Sequence, residues 1–168
     1  MQHSIRENNF AFIDGQNLYL GTTKGHNFKL DYAKFRNYLQ NKYHVSRAYI
    51  FLGYMNGMEP LYKFLQEVGY IVIHKPTLEM EEDGRTVIKG NIDADLVMHC
   101  MVELPNFEKA VIITSDGDFV CLLDLLCQQR KLKKLLIPNA YRYSALLRKY
   151  AEHMAMISHV KDKIALET

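Results

Sequence analysis

The 168-residue sequence has no apolar run approaching the ~18 residues of a membrane span. Its opening stretch, MQHSIRENNF, lacks the apolar core of a secretion signal. No segment repeats, none is of low complexity, and no linker divides the chain. A single domain over 1–168 is therefore expected, with its core at about 9–160. Cysteine is scarce and odd in number: Cys100, Cys121 and Cys127 lie in apolar surroundings, with no CxxC pair and no Cys/His spacing for zinc. That excludes a disulfide framework and points to reduced thiols in a cytoplasmic protein. Charge is nearly balanced at +2, too little to identify a nucleic-acid partner by itself.

Apolar residues are plentiful, at 48%, enough for a sizeable core. They fall in short runs that alternate with helical patterns. FAFID, RAYIFLG, YIVIHKP, AVIIT and KKLLIP read as buried strands, and MAMIS as a short sixth. Between them the spacing predicts helices. Asp31 caps one, with Tyr32, Phe35, Tyr38, Leu39 and Tyr43 on its apolar stripe. Pro60 opens a second, with Leu61, Phe64, Leu65 and Val68 on one face and Gly69 as its stop. Others are expected at about 93–104, at about 119–129, and from Ser144 to about His153. GTTKGHN reads as a polar loop, and 79–90 as an exposed loop or hairpin turning at Asp83-Gly84. This alternation predicts an α/β fold of three layers, with a mostly parallel central sheet of about five or six strands flanked by helices.

Two acidic motifs end two of the predicted strands, more than 100 residues apart. FIDGQN carries Asp14 and Asn17; VIITSDGDF carries Asp116 and Asp118. In an open parallel sheet, ligands bind beyond the carboxyl ends of the strands. Like charges ~4 Å apart there cost ~4 kcal/mol at an effective dielectric of ~20. A divalent cation offsets that cost, and oxygen-only ligands favour Mg²⁺ or Mn²⁺. Taken singly, Asp14-Gly15 is equally a turn, and Asp116 and Asp118 are equally caps. Asp93 weighs against that reading. Leu96, Val97, Cys100 and Leu104 follow it at helical spacing, so it stands on the apolar stripe. Complementing the helix dipole explains an acid in the first turn, but not an acid on the core-facing side. Asp95 points to the other side, with Met98 and His99.

Other candidates are weaker. Asn17 either orients Asp14, contacts a ligand or starts a loop. Thr114 and Ser115 either hydrogen-bond water or phosphate at the site or merely close the strand. Lys24, Lys89, Lys131, Lys133 and Arg142, with Ser115, are the candidates for gripping a nucleic-acid backbone, and solvated lysines explain most of them as well. The Tyr-rich composition leaves a homodimer open.

In order, FIDGQN, KGNIDADL, TSDGDF and YSALLRKYAEHMAMIS resemble the successive motifs of NYN domains, which belong to the PIN-like nucleases. The resemblance runs from Phe10 to Ser158. It implies a Rossmann-like three-layer fold with an acidic pocket for Mg²⁺ or Mn²⁺, and usually cleavage of RNA. By motif, the pocket acids are Asp14, Asp93, Asp116 and Asp118, with Asn17 beside them. The chain departs from the family pattern in having Ser115 where glycine is frequent, His99 where an acid is frequent, and one extra residue in KGNID.

The function expected is a metal-dependent ribonuclease acting on single-stranded RNA. Asp14, Asp116 and Asp118 would hold the metal directly or through water, and Asp93 would complete the cluster or deprotonate the attacking water. One alternative is a non-hydrolytic nucleic-acid-binding or assembly module of the same fold. Another is a phosphohydrolase for small phosphoesters, although FIDGQN lacks the DxD nucleophile of haloacid-dehalogenase-type phosphatases.

Overall fold

The computed structural model describes residues 7–75, 78–82, 84–89 and 92–167. Its central sheet has strands β1 (Asn9–Asp14), β2 (Val45–Gly53), β3 (Tyr70–Lys75), β6 (Ala110–Ile113), β7 (Leu132–Ile137) and β8 (Met154–Met156). They lie in the order β3-β2-β1-β6-β7-β8, and every pairing is parallel. Two further strands, β4 (Leu78–Glu82) and β5 (Arg85–Lys89), form a separate antiparallel hairpin. The hairpin lies where a turn is expected, and Gly84 takes a positive φ of 72° there. Asp83, Gly90, Asn91 and the expected strand terminator Pro76 fall outside the described residues.

Burial explains why these segments are strands. All six residues of β1 are buried, so both faces of the sheet are covered. Phe10 and Phe12 face one side, against α4 (Asp93–Glu103) and α5 (Val120–Gln128). Ala11 and Ile13 face the other, against α1 (Gly15–Leu20), α2 (Tyr32–Tyr43), α3 (Glu59–Glu67) and α6 (Lys161–Ile164). This is the expected three-layer α/β architecture. Among the described residues, no helix is long and apolar enough to cross a membrane.

Asp31 caps α2 as expected, accepting the Lys34 N–H at 3.0 Å. In α3 and at its C-cap, Leu61, Leu65 and Val68 pack into the core as expected, but Phe64 is exposed and Tyr62 is buried beside them. The stretch after β1 is more ordered than its polar composition predicts. Asp14 caps the six-residue α1, which runs into a π turn, Gly21–Gly25. Thr22 stabilises that junction by donating to the Leu18 carbonyl at 3.0 Å. The helix expected after Ser144 is instead a run of 3-10 turns, Ala145–His153, kinked at Tyr150.

The chain leaves β1 toward β2 and β3, then returns through β6 to build the other half. The order therefore reverses between β1 and β6, and a crevice opens beyond their carboxyl ends. Gly15 lets α1 start tightly there. A Cβ on it would collide with the Leu52 side chain and stand 2.7 Å from the Phe51 carbonyl oxygen. Gly15→Ala is expected to push α1 off β2 and to cost about 1–3 kcal/mol. Chemical denaturation checks this; an unchanged midpoint would refute the close fit.

Candidate metal centre

Strand alternation places Asp14 on the side of Phe10 and Phe12, under the start of α4. The register sets its neighbour. Ile13 pairs with Ile113, so Thr114 follows beside Asp14. The Thr114 hydroxyl donates to Asp14 Oδ2 at 3.2 Å and accepts the Asp116 N–H at 3.1 Å. Asp14 Oδ1 accepts the Asn17 N–H at 3.1 Å. Asn17 Oδ1 in turn accepts the Ser115 N–H at 2.8 Å. Asn17 therefore stitches α1 to the loop after β6.

That loop is braced on its other side. Ser115 Oγ accepts the Asn139 N–H at 3.2 Å, and the Ser115 carbonyl accepts the Ser144 N–H at 3.0 Å. Gly117 is packed so close to Ser144 that an added Cβ would overlap its side chain. Asp116 Oδ1 caps the short 3-10 turn that follows, accepting the Asp118 N–H at 2.9 Å. The Asp116 carboxylate and the backbone that carries Asp118 are thus held in place.

Asp93 opens α4, half-buried, while Leu96 and Cys100 on the same helix are fully buried. Asp93, Asp116 and Asp118 each place a carboxylate oxygen within 4.8 Å of the others. Asp14 is not one of this trio. It lies deeper, 6% exposed, yet near enough for the charges of Asp93 and Asp116 to act on it. Burial is the main cause that pushes its carboxyl up to about 6, with those two acids adding and the Asn17 and Thr114 hydrogen bonds opposing. Asp93 is also raised, by burial first and then by Asp116 and Asp118, while Lys75 opposes.

This donor set suits a hard divalent cation. Oxygens about 2.1 Å from Mg²⁺ lie about 3 Å apart when adjacent and about 4.2 Å when opposite. A spread of 4.8 Å needs only a small closure to reach that. The repulsion that Asp116 and Asp118 exert on Asp93 is what a cation would relieve.

The remaining candidates scatter. The π turn that carries Lys24 is tied to the loop after β7, because His26 Nε2 accepts the Ala140 N–H at 3.0 Å and its ring lies 4.8 Å from that of Tyr141. Burial, with Lys161 and His159, keeps the His26 imidazole below its usual pKa, as an accepting nitrogen requires. Exposed Lys24 and Arg142 therefore belong to the carboxyl edge of the sheet, with the acids. Lys131 and Lys133 belong to the opposite edge, at the start of β7. The Lys131 ammonium donates to the Leu104 and Phe107 carbonyls at 2.7 and 2.6 Å, and Lys133 pairs with Glu7 at 2.6 Å. Both are committed to holding the fold. The Lys89 side chain lies outside the described residues.

Asp95 is half-buried and pairs with Lys75 at 3.4 Å. His99 packs edge-on against Phe51, 5.4 Å between centroids, with Nδ1 2.9 Å from the Asp95 carbonyl. It is almost two turns along α4 from Asp93, away from the trio. Lys75 was not singled out in the sequence. The available signal was its position at the end of a third strand of the same sheet.

Because Asp14 binds its proton more tightly folded than unfolded, its contribution to stability falls as pH rises from about 4 to about 6 and stays unfavourable above that. In chelator at pH 8, Asp14→Asn is expected to be more stable than wild type by up to about 3 kcal/mol, an advantage that vanishes below about pH 4. Thermal melts across pH check this, and a variant no more stable at pH 8 would refute the buried-charge account.

The NYN domain family profile matches residues 10–157. A crystal structure of a protein of unknown function from Vibrio parahaemolyticus superposes with a TM-score of 0.76. It is 24% identical, and the alignment covers 99% of this chain and 100% of that one. That likeness shows the same fold. No curated protein matches the sequence.

Proposed function

The chain belongs to the NYN domain family, a family with a nuclease-like fold, and from that premise we propose that it is a divalent-metal-dependent ribonuclease acting on single-stranded RNA. The observation that carries this reading is the trio Asp93, Asp116 and Asp118, with carboxylate oxygens within 4.8 Å of one another at the switch point of a parallel sheet. These three would hold Mg²⁺ or Mn²⁺. The bound ion would supply an activated water and offset charge developing on the phosphate.

The remaining work falls to the chain's own groups. Asp14, outside the trio and with its carboxyl pushed up to about 6 by burial, is assigned the task of taking the proton from the attacking water. This exchanges the roles that the motifs alone give to Asp14 and Asp93. Thr114 and Asn17 position rather than react: one hydroxyl and one amide hold Asp14, the Asp116 backbone and the Ser115 backbone in register. Lys24 and Arg142, at the carboxyl edge, are assigned to the approaching RNA backbone. Lys131 and Lys133, tied down at the far edge, are not.

With Mn²⁺ and single-stranded RNA, the purified protein is expected to cut the strand. Outer partners of metal ligands contribute about 10–100-fold, so Asn17→Ala should lower kcat/KM by that much, and Asp116→Asn by more than about 100-fold. Activity that survives both Asp14→Asn and Asp116→Asn would sink the proposal. Salt-sensitive RNA binding with no cleavage in any divalent metal would favour the non-hydrolytic module instead. Turnover of a generic phosphoester without action on RNA would favour the phosphohydrolase. Independently of activity, Mn²⁺ should raise the wild-type melting temperature, and Asp116→Asn should abolish that rise.

A further inference from the structure

Beside the acids lies a second feature that catalysis by the trio does not use. A cavity of about 470 Å³ opens between α1, the end of β2 and α3. That size is within the ~300–1,000 Å³ of small-molecule sites. Its walls are mostly apolar, with Tyr19, Leu52, Met58 and Leu61 prominent. Among the described residues that line it, none is charged. The Tyr62 hydroxyl is committed to the wall, accepting the Met55 N–H at 3.0 Å and donating to the Gly53 carbonyl at 3.3 Å. Gln16, exposed at the rim, leaves an amide donor and acceptor for a guest.

The cavity adjoins the acids through the backbone. Gly15 follows Asp14, Ile92 precedes Asp93, and both residues line it. A guest here therefore lies beside the backbone that carries Asp14 and Asp93. Without a cation, these walls do not hold a phosphate. They suit a flat, neutral group, because aromatic faces and thioethers pack against π surfaces. Tyr19 and Met58 are 55% and 39% exposed at the cavity's opening. Unstacked bases of a single strand have this chemistry, and they sit one sugar away from a phosphate.

We propose that this cavity is a base subsite, taking one nucleobase of a single strand whose phosphate lies at the acid trio. The inference rests on the nuclease reading and adds the substrate contact that positions it. Stacking on Tyr19 and Met58 would tolerate any base, and the Gln16 amide would set a modest preference among them.

The test uses single-stranded RNA carrying 2-aminopurine at successive positions, with Ca²⁺ in place of Mg²⁺ to hold off cleavage. Emission should fall at one position only. An abasic site at that position should weaken binding about tenfold, the usual effect of one lost stacking contact. Tyr19→Ala and Met58→Ala, both at exposed positions, should each remove the quenching. Affinity indifferent to the abasic position, with quenching unchanged in both variants, would overturn the subsite while leaving cleavage by the trio standing. Failure to bind any strand would remove both readings together. A change in sedimentation of Tyr19→Ala without a change in strand affinity would overturn the subsite too, reassigning the surface to contact between copies of the chain.

Discussion

The candidate site depends on one pairing, the parallel register of β1 against β6. With Ile13 opposite Ile113, the Asp14 carboxyl and the Thr114 hydroxyl meet at 3.2 Å. That hydroxyl also receives the Asp116 N–H, so a single side chain sets the positions of two acids from distant parts of the chain. A slip of one residue would turn Asp14 to the opposite face, toward Leu18 and α2, and disperse the cluster. The buried, uninterrupted apolar run of β1 prevents that slip, because each of its residues already fills a place on one face or the other.

The arrangement also works against itself. Three acids converge on each other and a fourth is buried behind them, which costs free energy in the absence of a cation. The surrounding hydrogen bonds reduce that cost without removing it, as the raised pKa values of Asp14 and Asp93 record. Natural folds accept such local penalties where chemistry is done. Here the penalty is concentrated at the switch point, while Asp95 and Lys133 are each neutralised by a near partner.

Much of this was legible in the sequence, for physical reasons that differ by element. The strands could be read because burial on both faces leaves near-continuous apolar runs, as in FAFI and AVII. Asp93 could be read because helical spacing puts it in line with Leu96 and Cys100. What could not be read depended on contacts between distant residues. The short α1 shows no period of its own, its order coming in part from Asn17 bonding to Ser115, 98 residues away, and GTTKGHN looked like a loop although Gly21–Gly25 continue α1 as a π turn. Phe64 looked buried because spacing alone cannot choose between the two edges of a stripe; Tyr62 takes the inward place. Lys131 and Lys133 looked like a basic face, but their ammonium groups meet carbonyls and a carboxylate contributed by other segments. The division of the four acids into a trio and a buried fourth depends on depth, which a sequence does not encode locally.

The long gap between Asp14 and Thr114 has a consequence for when the site comes into being. The two residues are 100 positions apart, and β1 sits at the centre of the sheet with β6 as its far neighbour. During synthesis, β1 can pair with β2 and then β3 as each emerges, giving half a sheet with one edge bare. Asp14 is then present, but Thr114, Asp116 and Asp118 are not. No growing chain carries the cluster until β6 and the turn beyond it have left the ribosome. The order of strands thus acts as a timer, keeping the acidic crevice incomplete until synthesis has passed Asp118.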